Sequence, residues 1–282
     1  MDPVNREQAE HWNSEQAAGH WITHQARHDR MLEPFLTLIL DQATISTGDH
    51  VLDIGCGCGA TTRAAAALAT AGEVVGIDLS APMLARARAD ARSAGLANAS
   101  LIEGDAQVHP FEQGGFDVVI SRFGVMFFAD PAAAFTNLRT AAKPGGRLVF
   151  VCWQPMTENQ WLLVPGAALA EHIPLPDPGP PDAPGMFALA DPGRVRNILA
   201  GAGWRDIGIT PVHTPILLAG GGTIDDAVEF LRTGSLGRTM LAGAGPATQA
   251  RAVASVRAAL APYADGEGVH LGAAVWLVRT GL

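Results

Sequence analysis

Three glycines at alternate positions close the stretch Val51-Leu52-Asp53-Ile54-Gly55-Cys56-Gly57-Cys58-Gly59. Val51, Leu52 and Ile54 suit a buried strand, and the Ala-, Leu- and Thr-rich run from Ala60 to Ala71 suits a helix. In a strand–turn–helix unit of this kind, glycine allows positive φ and a close backbone approach that a Cβ would block. The helix end then points free N–H groups over the turn. Acids accompany the unit. Asp53 precedes the first glycine by two residues, and Asp78 ends the apolar run Val74-Val75-Gly76-Ile77, 19 residues after Gly59. A carboxylate at the carboxyl edge of a strand accepts both hydroxyls of a ribose, which points to an adenosine-type ligand without choosing among such ligands. Asp105 ends a third short apolar run, Ser100 to Ala106.

A second constellation is His20, His24 and His28, which share one face if they lie on a helix. Facing a pocket they would offer a base or a metal pair; facing solvent they are a polar surface, and both readings stay open. Glu158 and His172 are the next candidates for a base. Cys56 and Cys58 lie in the glycine turn without a C-x-x-C partner, so they read as small residues tolerated in a tight turn, and no metal is expected. With Cys152 the count is odd and no disulfide framework emerges, which fits a reducing cytoplasm.

The chain has 282 residues, enough for one large α/β domain with additions or for two small domains. At 48% hydrophobic and 17% charged residues it is globular, with a substantial core. A net charge of −9 and the lack of any Lys/Arg run argue against nucleic acid as a partner. No apolar stretch approaches the roughly 20 residues that span a bilayer, and the N-terminus carries no signal-peptide core, so no membrane partner is expected.

From residue 48 onward, strands and helices alternate. A strand over 50–54 leads to a helix ended by Gly72, then to a strand over 74–78 and a helix over 81–93 capped by Ser80. Phe116-Asp117-Val118-Val119-Ile120-Ser121-Arg122 reads as a fourth strand. Asp130-Pro131 opens a helix, and Lys143-Pro144-Gly145-Gly146 stops it before a fifth strand. The glycine run with Asp53, then Asp78, Phe116-Asp117-x-Val119 and Lys143-Pro144-Gly145-Gly146, in this order across 48–153, resemble the class I S-adenosylmethionine (SAM) methyltransferases. The small-molecule branch that includes the ubiquinone and menaquinone C-methyltransferases is similar over the same span. A dinucleotide dehydrogenase would show G-x-G-x-x-G, with its third glycine one residue later than here.

The resemblance implies a Rossmann-like α/β fold. Its sheet has seven mostly parallel strands in the order 3-2-1-4-5-7-6, with helices on both faces and helical cap additions. It also implies SAM as cofactor and S-adenosylhomocysteine (SAH) as product. The glycine turn, Gly55, Cys56, Gly57 and Gly59, would lie against the methionine part, with Asp53 orienting backbone and ligand amino group. Asp78, Leu79 and Met83 would surround the ribose, and Gly104, Asp105, Ala106 and Gln107 the adenine, whose amino group suits an acceptor. Ser121, Arg122 and Phe123, at the end of the fourth strand, would meet the methionine carboxylate or the substrate.

Outside this core the expected divisions are an N-terminal helical lid over 1–47, broken at Pro34, and a proline-rich cap over 154–190 with a helix from Trp161 to His172. Residues 191–282 would finish the sheet with strands over 206–218 and 269–279. Between them lies a helical insert over 223–264, with helices at 223–234 and 246–262. Trp12, Trp21, Phe127, Trp153 and Trp161 would line an apolar pocket for a small, neutral organic acceptor, methylated on carbon, oxygen or nitrogen. Two other functions compete: a SAM- or SAH-binding protein that transfers no methyl group, for instance one organising a cyclisation, and a nucleotide-dependent oxidoreductase, disfavoured by the glycine spacing. The oligomeric state is open, a homodimer included.

Overall fold

The structure is a computed structural model that describes residues 5–175, 180 and 182–281. Residues 1–4 of the expected lid, 176–179 and 181 of the expected cap, and 282 lie outside the described residues. The N-terminal segment forms α1 (Arg6–Asn13), a π-turn over Glu15–Gly19, α2 (His20–Thr23), α3 (Gln25–Met31) and α4 (Glu33–Ala43). The break expected at Pro34 falls at Leu32, because Pro34 sits in the first turn of α4, where a missing N–H goes unnoticed. No pattern in the sequence announces α1. Eight residues are too few to hold a helix in water, so its docking on the rest of the chain sustains it.

The alternation that follows is as expected: β1 (His50–Ile54), α5 (Ala60–Leu68), β2 (Glu73–Asp78), α6 (Ala81–Ser93), β3 (Ala99–Glu103), β4 (Phe116–Arg122), α7 (Pro131–Ala141) and β5 (Ala142–Trp153). Ser80 and Asp130 cap α6 and α7 by accepting the N–H groups of Met83 and Ala133. Then come α8 (Gln160–Ala170), α9 (Pro192–Gly201), β6 (Arg205–Leu217), α10 (Ile224–Thr233), α11 (Ser235–Leu241), α12 (Pro246–Leu260) and β7 (His270–Gly281). Of the insert helices, α11 is the one that periodicity does not reveal, and α12 packs on α8.

The seven strands form one sheet in the order β3-β2-β1-β4-β5-β7-β6. The first five pair in parallel and β7 runs antiparallel to both of its neighbours. Parallel strands need helical crossovers, which cover both faces, so Val51, Leu52, Val118, Val119 and Ile120 are fully buried. β6 is an edge strand, which is where Pro211 and Pro215 are tolerated. The winding reverses at β1: β2 and β3 lie on one side, β4 and β5 on the other. A crevice opens at the carboxyl ends of the strands where such a reversal occurs. Among the described residues no helix is long and apolar enough to cross a membrane.

Candidate active site

A cleft of about 990 Å3, its mouth included, fills that crevice. The glycine loop after β1, the ends of β2 and β3, and the exit of β4 line it, and Trp12 of α1 and Trp21 of α2 join the wall. Gly55 has φ +66°, and a Cβ there would stand 2.6 Å from the Cα of Gly124. The loops leaving β1 and β4 touch at these two glycines. Gly57, at φ +53°, has a different surrounding: among the described residues beyond its chain neighbours, a Cβ would meet only the Met83 methyl, at 3.7 Å, so the space before it is open.

Carboxylates hold the loop and mark the cleft. Asp78 Oδ2 accepts the Gly57 N–H at 2.7 Å and Oδ1 accepts the Ser80 N–H at 2.8 Å, which ties the glycine loop to the end of β2. Burial raises its pKa above the usual carboxylate value. Asp105 Oδ1 accepts from Asn5 Nδ2 at 3.1 Å and from the Gln107 N–H at 2.9 Å, while its buried Oδ2 has no partner among the described residues. Arg122 pairs with Asp29 at 3.6 Å, and its Nη1 is likewise buried without a partner. Asp53 lies beneath the loop, with Oδ2 accepting the Thr62 hydroxyl at 2.6 Å and Oδ1 unpartnered among the described residues. Burial pushes Asp53 up to about 7. Buried atoms lacking hydrogen bonds are uncommon in folded chains, so this concentration around one cleft points to a polar ligand.

Not every expected residue reaches the cleft. Gly59 packs the loop on α6, where a Cβ would meet Ala87 at 2.9 Å. Ser121 donates to the Ile54 carbonyl at 2.8 Å and knits β4 to β1, and Gln107 accepts the Asp130 N–H at 2.9 Å. With Asp53 these residues support the cleft and do not line it. Trp153 and Trp161 need correction as pocket residues. Trp153 stacks on Phe123 with centroids 4.3 Å apart, Trp161 packs on Trp153, and both belong to the core.

The three histidines also need correction as pocket residues. They gather as their spacing requires, with rings 4.6 Å (His20–His24) and 5.7 Å (His20–His28) apart. However, they pack on Phe230 of α10, and none lines the cleft. Burial, reinforced by neighbouring cationic side chains, holds His20 at about 4 and His28 at about 3, which makes them weak bases. His28 stacks flat on Trp21 at 3.9 Å and so backs the cleft wall. Glu158 and His172 lie off the cleft, His172 bonded to Ser255 at 2.7 Å. Among the described residues no group of three His, Cys, Asp or Glu side chains is arranged to hold a metal. Asn5, Asp29 and Gly124 line the cleft without having been anticipated. Gly124 had a signal, a glycine two residues past a strand; nothing marks one amide in a polar N-terminal segment.

The family model described as a methyltransferase domain matches residues 51–146. Aklanonic acid methyltransferase DauC of Streptomyces sp. (strain C5) is 33% identical over 158 residues, covering 52% of this chain and 72% of that protein. The chain belongs to the SAM-dependent methyltransferases. A demethylmenaquinone methyltransferase of Lactiplantibacillus plantarum is 38% identical over 126 residues, 44% of this chain and 52% of that protein, so the match spans about half of that relative. The fold is shared with Haemonchus contortus phosphoethanolamine N-methyltransferase 2. That structure gives a TM-score of 0.58 at 19% identity, covering 95% of this chain and 57% of that one.

SAM, the cofactor of this methyltransferase, is a net cation, with sulfonium and ammonium against one carboxylate. The cleft suits it: three carboxylates (Asp29, Asp78, Asp105) line it against one guanidinium (Arg122), with the open face of Gly57 between them. A pH dependence follows from Asp53. Its folded pKa is raised to about 7, so the folded apo protein keeps a proton that the unfolded chain sheds near pH 4. Stability of the apo protein therefore falls as pH rises from about 4 to 7. A bound cation favours the ionised carboxylate, so SAM binding releases this proton and tightens about tenfold between pH 6 and 8. Titration calorimetry in buffers of different ionisation heat counts the proton. The dependence flattens in Asp53→Asn, and an unchanged slope in that variant assigns the proton elsewhere.

Proposed function

We propose that this methyltransferase holds SAM along the cleft and passes its methyl group to a small, largely apolar organic acceptor. Asp105 takes the adenine amino group on its free Oδ2, and Asp78, beside Leu79 and Met83, takes the ribose hydroxyls. Gly55, Cys56 and Gly57, with Arg122 and Asp29, would hold the methionine arm. The observation that carries the reading is the pair of buried unpartnered atoms, Asp105 Oδ2 and Arg122 Nη1, in one cleft. Trp21, Leu32, Phe123 and Phe127 give the acceptor an apolar wall. The relatives' names, aklanonic acid and demethylmenaquinone methyltransferase, refer to organic acceptors of this broad kind.

When bound, SAM supplies an electrophilic methyl group on a sulfonium. The chain contributes alignment of the acceptor behind that carbon and exclusion of water, which in favourable cases account for roughly 7–11 kcal/mol of a barrier. Trp12, Trp21 and Phe127 meet edge to face, at 6.2 and 5.3 Å, and shut out solvent on one side. Cys58, raised by burial to about 12, and Cys56, which burial holds well above the ordinary thiol value, stay protonated and serve only as wall. With the histidines off the cleft, transfer proceeds without an imidazole base, and the acceptor atom is nucleophilic at neutral pH. The test is turnover of purified protein with SAM and a panel of phenols, enols and amines, read as SAH formed. SAH that appears only with an acceptor supports transfer; SAM binding without SAH formation across the panel overturns it. His20→Ala and His24→Ala retain turnover within about threefold of wild type, whereas loss of a general base is typically worth a factor of about 100 or more.

A further inference from the structure

Asn5 stands one residue before α1 in a mostly exposed stretch, yet it is only 3% exposed. Both ends of its amide are used over long range. Its Oδ1 accepts the Ala129 N–H, beyond the exit of β4, at 2.6 Å, and its Nδ2 donates to Asp105 Oδ1, beyond β3, at 3.1 Å. The Ala129 bond decides the orientation of the amide: with Oδ1 committed to an N–H, the NH2 group faces Asp105. Asp105 Oδ1 then holds two donors, from Asn5 and from the Gln107 backbone, and Oδ2 holds none among the described residues. The carboxylate cannot rotate without breaking both bonds, so Oδ2, buried at the cleft wall, is the oxygen left to take a donor.

We propose that Asn5 is a positioning residue that makes the methyltransferase selective for a 6-amino purine by occupying Asp105 Oδ1 and so leaving Oδ2 for the base. The proposal rests on Asp105 being the adenine acid. A 6-amino group donates to that oxygen. A 6-oxo group sets lone pair against lone pair in a buried site, which is the kind of mismatch that discriminates strongly. Loss of the Asn5 bond lets the carboxylate turn away, which weakens the amino ligand and relieves the oxo ligand.

The experiment is calorimetric binding of SAH and of its 6-oxo analogue S-inosylhomocysteine to wild type, Asn5→Leu, Asn5→Ser and Asn13→Ala, with thermal unfolding of each protein. Asn13 tethers the same helix elsewhere, to the Leu79 carbonyl at 2.9 Å and the Ala81 N–H at 3.0 Å, without touching Asp105. Wild type binds SAH about 100-fold more tightly than the oxo analogue. In Asn5→Leu and Asn5→Ser that ratio falls about tenfold, the scale of one hydrogen bond to a charged group. In Asn13→Ala the ratio stays while both affinities fall together. An unchanged ratio in the Asn5 variants overturns the proposal, as does a wild type that does not discriminate. Should Asn5→Leu not fold, the smaller and polar Asn5→Ser decides. Failure of wild type to bind SAH at all would instead refute the proposed function, so the two ideas fail separately.

Discussion

Asp78→Ala loses SAM and SAH binding by at least about 100-fold while the far-ultraviolet circular dichroism stays that of the wild type. Two losses combine. Both carboxylate oxygens hold backbone N–H groups, of Gly57 at 2.7 Å and Ser80 at 2.8 Å, and each keeps a lone pair for the ribose. Alanine frees the glycine loop from β2 and removes both ribose acceptors. Hydrogen bonds to a charged group are worth roughly 1.5–3 kcal/mol each, so two of them exceed 3 kcal/mol, a factor above about 100. Asp78→Asn fares nearly as badly, because its amide must turn an NH2 group towards one of the two backbone N–H donors. Calorimetric affinities for Asp78→Ala within fivefold of wild type would remove Asp78 from the ribose site.

Gly55 and Gly57, two residues apart, give different phenotypes when each is changed to alanine. Gly57→Ala folds, with a loss of about 1–2 kcal/mol for an alanine held at positive φ. Its new methyl group enters space that only the Met83 methyl borders, at 3.7 Å, and which the proposed cofactor path crosses, so SAM affinity falls by a factor of about 100. Gly55→Ala fails earlier. Its Cβ would lie 2.6 Å from the Gly124 backbone, and nothing there can swing aside as a side chain would. The loops after β1 and β4 must separate, and the protein loses several kcal/mol of stability, on the order of a severe core defect. Thermal unfolding and calorimetry on both variants separate the cases. Equal destabilisation by the two alanines, with SAM binding retained in Gly57→Ala, would show that the space before Gly57 is not the cofactor path.

Much of the fold was legible because its signals are local. Val51 to Gly59 carries strand, turn and helix start within nine residues, and the buried parallel strands read as continuous apolar runs. Ser80-Ala81-Pro82 and Asp130-Pro131 announce helix starts by caps that the structure uses. The helices missed, α1 and α11, are short and held by distant contacts, Asn5 and Asn13 in the case of α1. Within the site, the expected residues that line the cleft include Gly55, Gly57, Asp78, Asp105, Arg122, Trp12, Trp21 and Phe127. Apart from Trp12 and Trp21, which α1 and α2 bring to the wall, their positions follow from strand ends, which the topology gathers at one edge of the sheet.

The amino-acid sequence by itself determined the glycine turn and the acids at the strand ends, since these depend on neighbours a few residues away; the sheet order was expected from the resemblance to a family of known strand order, and the structure has it. Only the tertiary structure decided which chemistry-bearing side chains meet. Helical spacing put His20, His24 and His28 together but said nothing of Phe230, which occupies their face. Aromatic character could not tell Trp21 at the cleft from Trp153 and Trp161 in the core. Asn5 reaches Asp105 across 100 residues of chain, and no periodicity carries that distance. A pattern fixes the direction a side chain takes from its own element, whereas its partner is set by how the elements pack.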